Sequence, residues 1–197
     1  MRPDPAARKE YVDAFREVVL RISRSLSDAP QRGLPVRMYV AGGAAMHLIT
    51  GERVSEDIDA VFSRRMALPE NLEVAYRDAD GAARLLYFDR QYNDTLGLLH
   101  EDAYEDSVPL VLDGVDKRVI DVRLLSSLDL AVSKIGRLSD QDRDDIALLV
   151  RRGRLRPAKL RKRAEEAAAG YVGDLERLRN SIDIAVRIAE DAARRGH

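Results

Sequence analysis

Tyr39–Phe62, YVAGGAAMHLITGERVSEDIDAVF, is the stretch on which the reading of this chain turns. Met38-Tyr39-Val40 reads as a short buried strand, Gly42-Gly43 as a turn, Ala44 to Thr50 as a helix, and Ile58 to Phe62 as a second strand. Asp57 and Asp59 stand at the mouth of that second strand. Side chains two apart on a strand share a face, so the spacing aims both carboxylates at one place. Paired carboxylates repel unless a cation neutralises them, and an oxygen-only donor set suits a hard divalent ion, Mg²⁺ or Mn²⁺. Glycines let another group approach the backbone closely, and N–H groups at a helix start hold phosphate. The pattern points to a metal beside a phosphate.

Outward from this stretch, residues 6–28 carry Tyr11, Phe15, Val18, Val19, Ile22 and Leu26 at helical spacing, predicting an amphipathic helix. Ala29 to Pro35 is a loop punctuated by Pro and Gly. Pro69 to Asp80 reads as a short helix ending at Asp80-Gly81, Ala83 to Phe88 as a strand, and Tyr92 to His100 as loop with a short helix. Val108 to Leu112 and Val119 to Leu124 form an expected hairpin around Asp113-Gly114. Beyond Leu125 the chain reads as helical. Ser127 is the expected cap of a helix over Leu128 to Leu138, and Ser139 with Asp142 forms a capping-box pattern for the next. Gly153 to Pro157 breaks that helix. Residues 158–195 give one or two long helices, with a break at Gly170 and Gly173 and an apolar face including Leu175, Leu178, Ile182 and Val186. Strands followed by helices imply an α+β fold, a mixed sheet flanked by helices with a C-terminal helical extension. The division expected is a domain over residues 1–153 and a helical region over 154–197.

With 197 residues, 45% apolar and 34% charged, the chain can bury a core and is not of disordered composition. No apolar run approaches the ~20 residues of a membrane span. MRPDPAARKE carries no apolar stretch behind its charges and does not read as a secretory signal. There is no cysteine, hence neither disulfide nor thiolate metal site. A cytoplasmic protein is expected. The net charge of −1 excludes a global pull on nucleic acid, but residues 151–163, RRGRLRPAKLRKR, are strongly basic. They read either as a solvated face or as a contact for RNA phosphates.

Gly-Gly, a helix, then Asp-x-Asp on a strand resembles the nucleotidyltransferase superfamily, which has the fold of DNA polymerase β. The chain resembles most the AbiEii-type proteins, the toxin side of type IV toxin–antitoxin systems. Arg53-Val54-Ser55-Glu56-Asp57-Ile58-Asp59 fits their second motif residue for residue, while Ala44 stands where Thr or Ser is common in the first. The resemblance implies that Asp57 and Asp59 bind the divalent ions and that Gly42 and Gly43 hold the triphosphate. Arg53 pairs with a phosphate or with Asp57, and Ser55 caps the turn or orients the aspartates. Such enzymes often carry a third carboxylate; Asp121 fits best by pattern, with Asp89 and Asp94 in reserve. A helical Lys followed by acidic residues finds its match in Lys134, Asp142 and Asp145, although Arg143 follows Asp142 instead of preceding it. Lys134 would reach a β- or γ-phosphate, with Asp142 and Asp145 orienting Lys134 or Arg137; a plain helical charge ladder is the other reading of the acids.

The function so implied is transfer of a nucleoside monophosphate from an NTP to an acceptor hydroxyl. By the same resemblance, the acceptor is tRNA or another RNA, in a toxin–antitoxin or phage-defence setting with a cognate antitoxin protein. The alternative is a catalytically silent module that binds nucleotide or protein on the same fold. His47 and His100 show no metal-ligand spacing with a carboxylate.

Overall fold

Apolar residues spaced three and four apart build the first helix, α1 (Lys9–Ser27), which buries Tyr11, Phe15, Val18, Val19, Ile22 and Leu26. A computed structural model describes residues 1–27, 33–90 and 97–195 of the chain. Its described residues divide into two compact units, Met1–Asp94 with Ser107–Leu124, and Thr95–Asp106 with Leu125–His197.

In the first unit, β1 (Val36–Val40) lies antiparallel to β3 (Ala60–Phe62) and parallel to β7 (Ile120–Leu124). β6 (Val108–Pro109) pairs antiparallel with β7, giving the order β3-β1-β7-β6. A second sheet has the order β2-β5-β4, from β2 (Asp57–Ile58), β5 (Ala83–Phe88) and β4 (Glu73–Arg77). The expected strand from Ile58 to Phe62 is thus shared between two sheets, and Asp59 is the joint. Its carbonyl accepts from Ala41 N–H at 2.9 Å, while the Ile58 carbonyl accepts from Asp89 N–H at 3.2 Å on the other flank.

Two expectations change here. The helix over Pro69 to Asp80 is instead β4, whose half-buried Val74 and Tyr76 alternate with exposed Glu73, Ala75 and Arg77. That is period 2, and α1 packs on it. The Asp80-Gly81 pair closes a β4–β5 hairpin: Asp78 Oδ1 accepts from the N–H groups of Asp80 and Ala82, at 3.1 and 3.0 Å. The hairpin near Asp113 forms with a shorter first arm. Pro109 ends β6 as a strand, although Leu110 N–H still reaches Val122 O at 2.8 Å.

The helix expected from Ala44 begins two residues earlier, as α2 (Gly42–Thr50), so both glycines belong to its first turn. α2 is apolar all round and buries every residue from Gly43 to Thr50.

The second unit holds α3 (Ser127–Ile135), α4 (Asp140–Arg151), α5 (Pro157–Ala168) and α6 (Leu175–Arg195). Ser126, not Ser127, caps α3 by accepting from Asp129 N–H at 3.0 Å. Ser139 and Asp142 form the reciprocal capping box of α4. Gly153 lies inside this unit, between α4 and α5, since α4 and α5 both pack on α6. Pro157 opens α5, where its missing N–H costs nothing. α6 buries Leu178, Ile182, Ala185 and Val186, whereas Leu175 is exposed. Among the described residues, no helix is long and apolar enough to cross a membrane.

Candidate active site

At the first turn of α2, Asp59 lies against Gly42, and Ser55, which holds Asp57, lies against Gly43. Gly42 has φ +60°, and a Cβ placed on it would stand 1.8 Å from Asp59 Oδ2. A Cβ on Gly43 would stand 2.5 Å from Ser55 Cβ and 2.7 Å from Ser55 Oγ, with Arg53 Cζ at 3.5 Å. Ser55 in turn donates to the Asp57 carbonyl at 2.9 Å and to Asp57 Oδ1. Both glycines are therefore required by the chain's own packing: one makes room for Asp59, the other for the serine that holds Asp57. Gly43 is buried beneath that serine, while Gly42, Asp57 and Asp59 remain half-buried.

The electrostatic surroundings agree with this gathering. Burial pushes the Tyr11 phenol well above its ordinary value, and the Tyr76 ring and the Asp57 and Asp59 carboxylates add to that. On the open side, the Asp57 carboxylate, with burial and Asp89 behind it, raises the exposed Tyr87 phenol. Ala41, which precedes α2, offers no side-chain cap, so the first N–H groups of the helix and its positive dipole end are presented beside the acids.

A family described as "Nucleotidyltransferase of unknown function (DUF6036)" matches the chain over residues 17–192. The chain belongs to that family. No curated protein matches it. At this level the protein is a nucleotidyltransferase of α+β fold.

Within the nucleotidyltransferase the register decides which further carboxylate accompanies the pair. Asp121 is level with Arg37 on β1, whereas Asp59 is bonded to Ala41, four residues further along. At ~3.3 Å per residue this is about 13 Å along the strand. The Asp121 carboxylate instead meets Arg123 at 3.2 Å. β2 and β5 run parallel with Ile58 opposite Phe88, and Asp89 N–H donates to the Ile58 carbonyl, so Asp89 adjoins the residue just before Asp59. Asp94 falls outside the described residues.

The donor set of Asp57 and Asp59 is all oxygen and fits a hard divalent ion. Among the described residues no group of three potential ligand side chains converges. Two carboxylates are what Mg²⁺ commonly takes from protein, with water and substrate phosphate filling the other positions.

In the second unit Lys134, Asp142 and Asp145 are brought together and buried. Lys134 is 5% exposed, its Nζ 2.7 Å from Asp145 and 3.6 Å from Asp142. Arg137 forks onto both Asp142 oxygens at 2.8 Å each, and Ser139 donates to Asp142 from its N–H and hydroxyl. Burial alone would raise the Asp142 carboxyl, but Arg137, Ser139 and Lys134 outweigh it and hold the group well below the usual carboxylate range. The charges cancel within the group, tying α3 to α4. In the basic segment, Arg163 pairs with Asp129 and Asp106 at 2.8 and 2.6 Å, and Arg161 with Asp183 at 2.8 Å. Part of that segment's charge is thereby spent on its own unit.

Two residues near the pair, Tyr11 and His47, carry no functional signal in the sequence. Tyr11 and His47 pack ring edge to face at 4.6 Å, whereas Asp89, a reserve third carboxylate by sequence, is brought to the Asp57–Ile58 strand by the β2–β5 pairing.

Proposed function

We propose that this nucleotidyltransferase uses a divalent cation, Mg²⁺ or Mn²⁺, to move a nucleoside monophosphate from an NTP to an acceptor hydroxyl on RNA. The observation that carries the reading is the gathering of Asp59 against Gly42 and of Asp57, through Ser55, against Gly43. A cation held there would supply positive charge to offset the negative charge that develops during transfer. The acceptor oxygen bonds to the α-phosphorus as the bridging oxygen to the β-phosphorus departs with pyrophosphate. Asp57 and Asp59 would hold the cation, Ser55 would fix the Asp57 rotamer, and the N-terminal N–H groups of α2 would face the triphosphate. Arg53, beside Ser55, would meet a phosphate at the same turn. The β2–β5 register supports Asp89 as the third carboxylate and acceptor of the hydroxyl proton.

Lys134, Asp142 and Asp145 are assigned a different part, that of holding α3 on α4, because the lysine's charge is already matched by two carboxylates. The Arg53–Asp59 motif supports an AbiEii-like role: a toxin or phage-defence enzyme acting on tRNA or another cytoplasmic RNA and restrained by an antitoxin protein.

Incubation of the protein with each labelled NTP, Mg²⁺ and total RNA tests this. Label in RNA that disappears with Asp59→Ala supports the transferase. The absence of a third converging ligand among the described residues favours a second reading, a silent nucleotide-binding module. NTP binding without label transfer, with any divalent ion, would establish that reading instead.

A further inference from the structure

Immediately beyond Asp59 the chain forms the wall of a cavity of about 310 Å³, lined among others by Phe62, Arg64, Arg65, Met66 and Arg90. β3 is the edge strand of its sheet, and the cavity lies between it and the residues that follow β5. Its volume is at the small end of ligand sites, roughly 300–1,000 Å³, enough for about one nucleotide unit. The Phe62 and Phe88 rings stack at 5.7 Å and 27° beneath it. Phe88 is buried and Phe62 half-buried, so the ring pair presents an apolar floor with one accessible member.

Charge separates this cavity from the one beside it. A neighbouring cavity of about 450 Å³ shares Phe88, Asp89 and Arg90 but adds Glu70 and Glu73, so one arginine faces three carboxylates there. Among the described residues, the lining of the first cavity carries three arginines and one carboxylate, Asp89. A phosphate-bearing ligand is drawn to the first and repelled by the second. Arg64, Arg65 and Arg90 are all exposed. Arg90 donates to the Pro69 carbonyl and Arg64 lies over Gly33. A guanidinium has five N–H donors in a planar fork that can meet a phosphate alongside a contact within the protein.

We propose that this cavity binds the sugar-phosphate of a single RNA strand, with a base against Phe62, and that the strand is the acceptor delivered to Asp59. Guanidinium groups over an aromatic floor are the pattern of single-strand binding that does not read sequence. The word acceptor rests on the transferase reading; binding of the strand does not.

The test measures anisotropy of a short fluorescein-labelled oligouridine with a free 3′ hydroxyl over a range of salt, using the full chain. Mg²⁺–ATP binding is measured on the same proteins. Arg64→Glu/Arg65→Glu should weaken the oligouridine about tenfold or more and lower the salt slope by about 0.7 for each phosphate that is no longer neutralised. Arg64→Lys/Arg65→Lys should keep the slope, and Mg²⁺–ATP affinity should stay as in the wild type. Both variants change only exposed side chains, and an unchanged unfolding midpoint verifies the fold. Unchanged oligouridine binding in the Glu variant would overturn the proposal, as would an equal loss of Mg²⁺–ATP binding, which would make the cavity a nucleotide pocket. If the Glu variant loses the oligouridine while no labelled NTP is ever transferred, the transferase reading fails and the strand site stands. If Asp59→Ala abolishes transfer but the Glu variant binds RNA normally, only the strand site falls.

Discussion

The carboxylate of Asp59 fills the space that a side chain on Gly42 would need. Besides Oδ2 at 1.8 Å, its Cγ and Cβ would stand 2.7 and 3.1 Å from an added Cβ, so the whole acid must turn away. The φ of +60° adds backbone strain of about 1–3 kcal/mol for a non-glycine residue. Gly42→Ala is therefore expected to lower stability in urea by that amount and to lose nucleotide transfer as fully as Asp59→Asn. Full transfer by Gly42→Ala would show that the reaction does not depend on where this contact holds Asp59.

Ser55 acts on Asp57 and not on substrate in this arrangement, because its hydroxyl is spent on Asp57 Oδ1 and the Asp57 carbonyl. Removing a group that orients a metal ligand typically costs 10–100-fold in metal affinity. Ser55→Ala should shift the Mg²⁺ titration of transfer by about that factor, with near wild-type rate once Mg²⁺ saturates. A rate that stays low at saturating Mg²⁺ would place the hydroxyl on the reacting groups instead.

Much of this site is legible in the sequence because it is local. Gly42, Gly43, Ser55, Asp57 and Asp59 lie within eighteen residues, and period-2 spacing brings the two acids together. What the sequence hides is pairing at long range. Asp121 sits on a strand with the expected alternation, yet its level along β1 is set by the parallel β1–β7 register, which no local pattern encodes. Asp89 gains its place from β2–β5 pairing for the same reason. β4 reads as helix because Leu72, Val74, Ala75 and Tyr76 fit both periods over so short a run, and only packing on α1 chooses between them. The split of Asp57–Phe62 between two sheets leaves no trace in composition at all.

Lys134 is enclosed with two carboxylates, and the consequence for stability is large. Truncating one member of a buried ion pair costs about 3–5 kcal/mol, since the partner charge stays in a dry place. Lys134→Ala should lower stability in urea by that amount, and Lys134→Met/Asp145→Leu should cost less than the single change, as apolar packing replaces the pair. If Lys134→Ala instead keeps wild-type stability and loses transfer, the lysine acts on substrate.

His47 supplies a pH dependence whose direction follows from its burial. Its Nε2 accepts from Arg8 N–H at 3.0 Å, which leaves the ring proton on Nδ1. The Arg53 backbone favours the charged ring, while Nδ1 itself is buried without a hydrogen-bond partner among the described residues. Burial dominates, with the Arg8 charge assisting, and lowers the pKa from 6.5 to about 4. The unfolded chain thus takes up a proton below pH 6.5 that the folded chain refuses until about pH 4. Stability from this group is complete above pH 6.5, falls as pH drops across that interval, and levels off below it. The depressed Asp142 carboxyl acts lower, its contribution fading only as pH falls below 3.8. His47→Gln keeps an acceptor for Arg8 N–H and has no proton to gain. Urea midpoints across the interval should decline for the wild type relative to His47→Gln, and parallel curves would show that the imidazole titrates alike in both states.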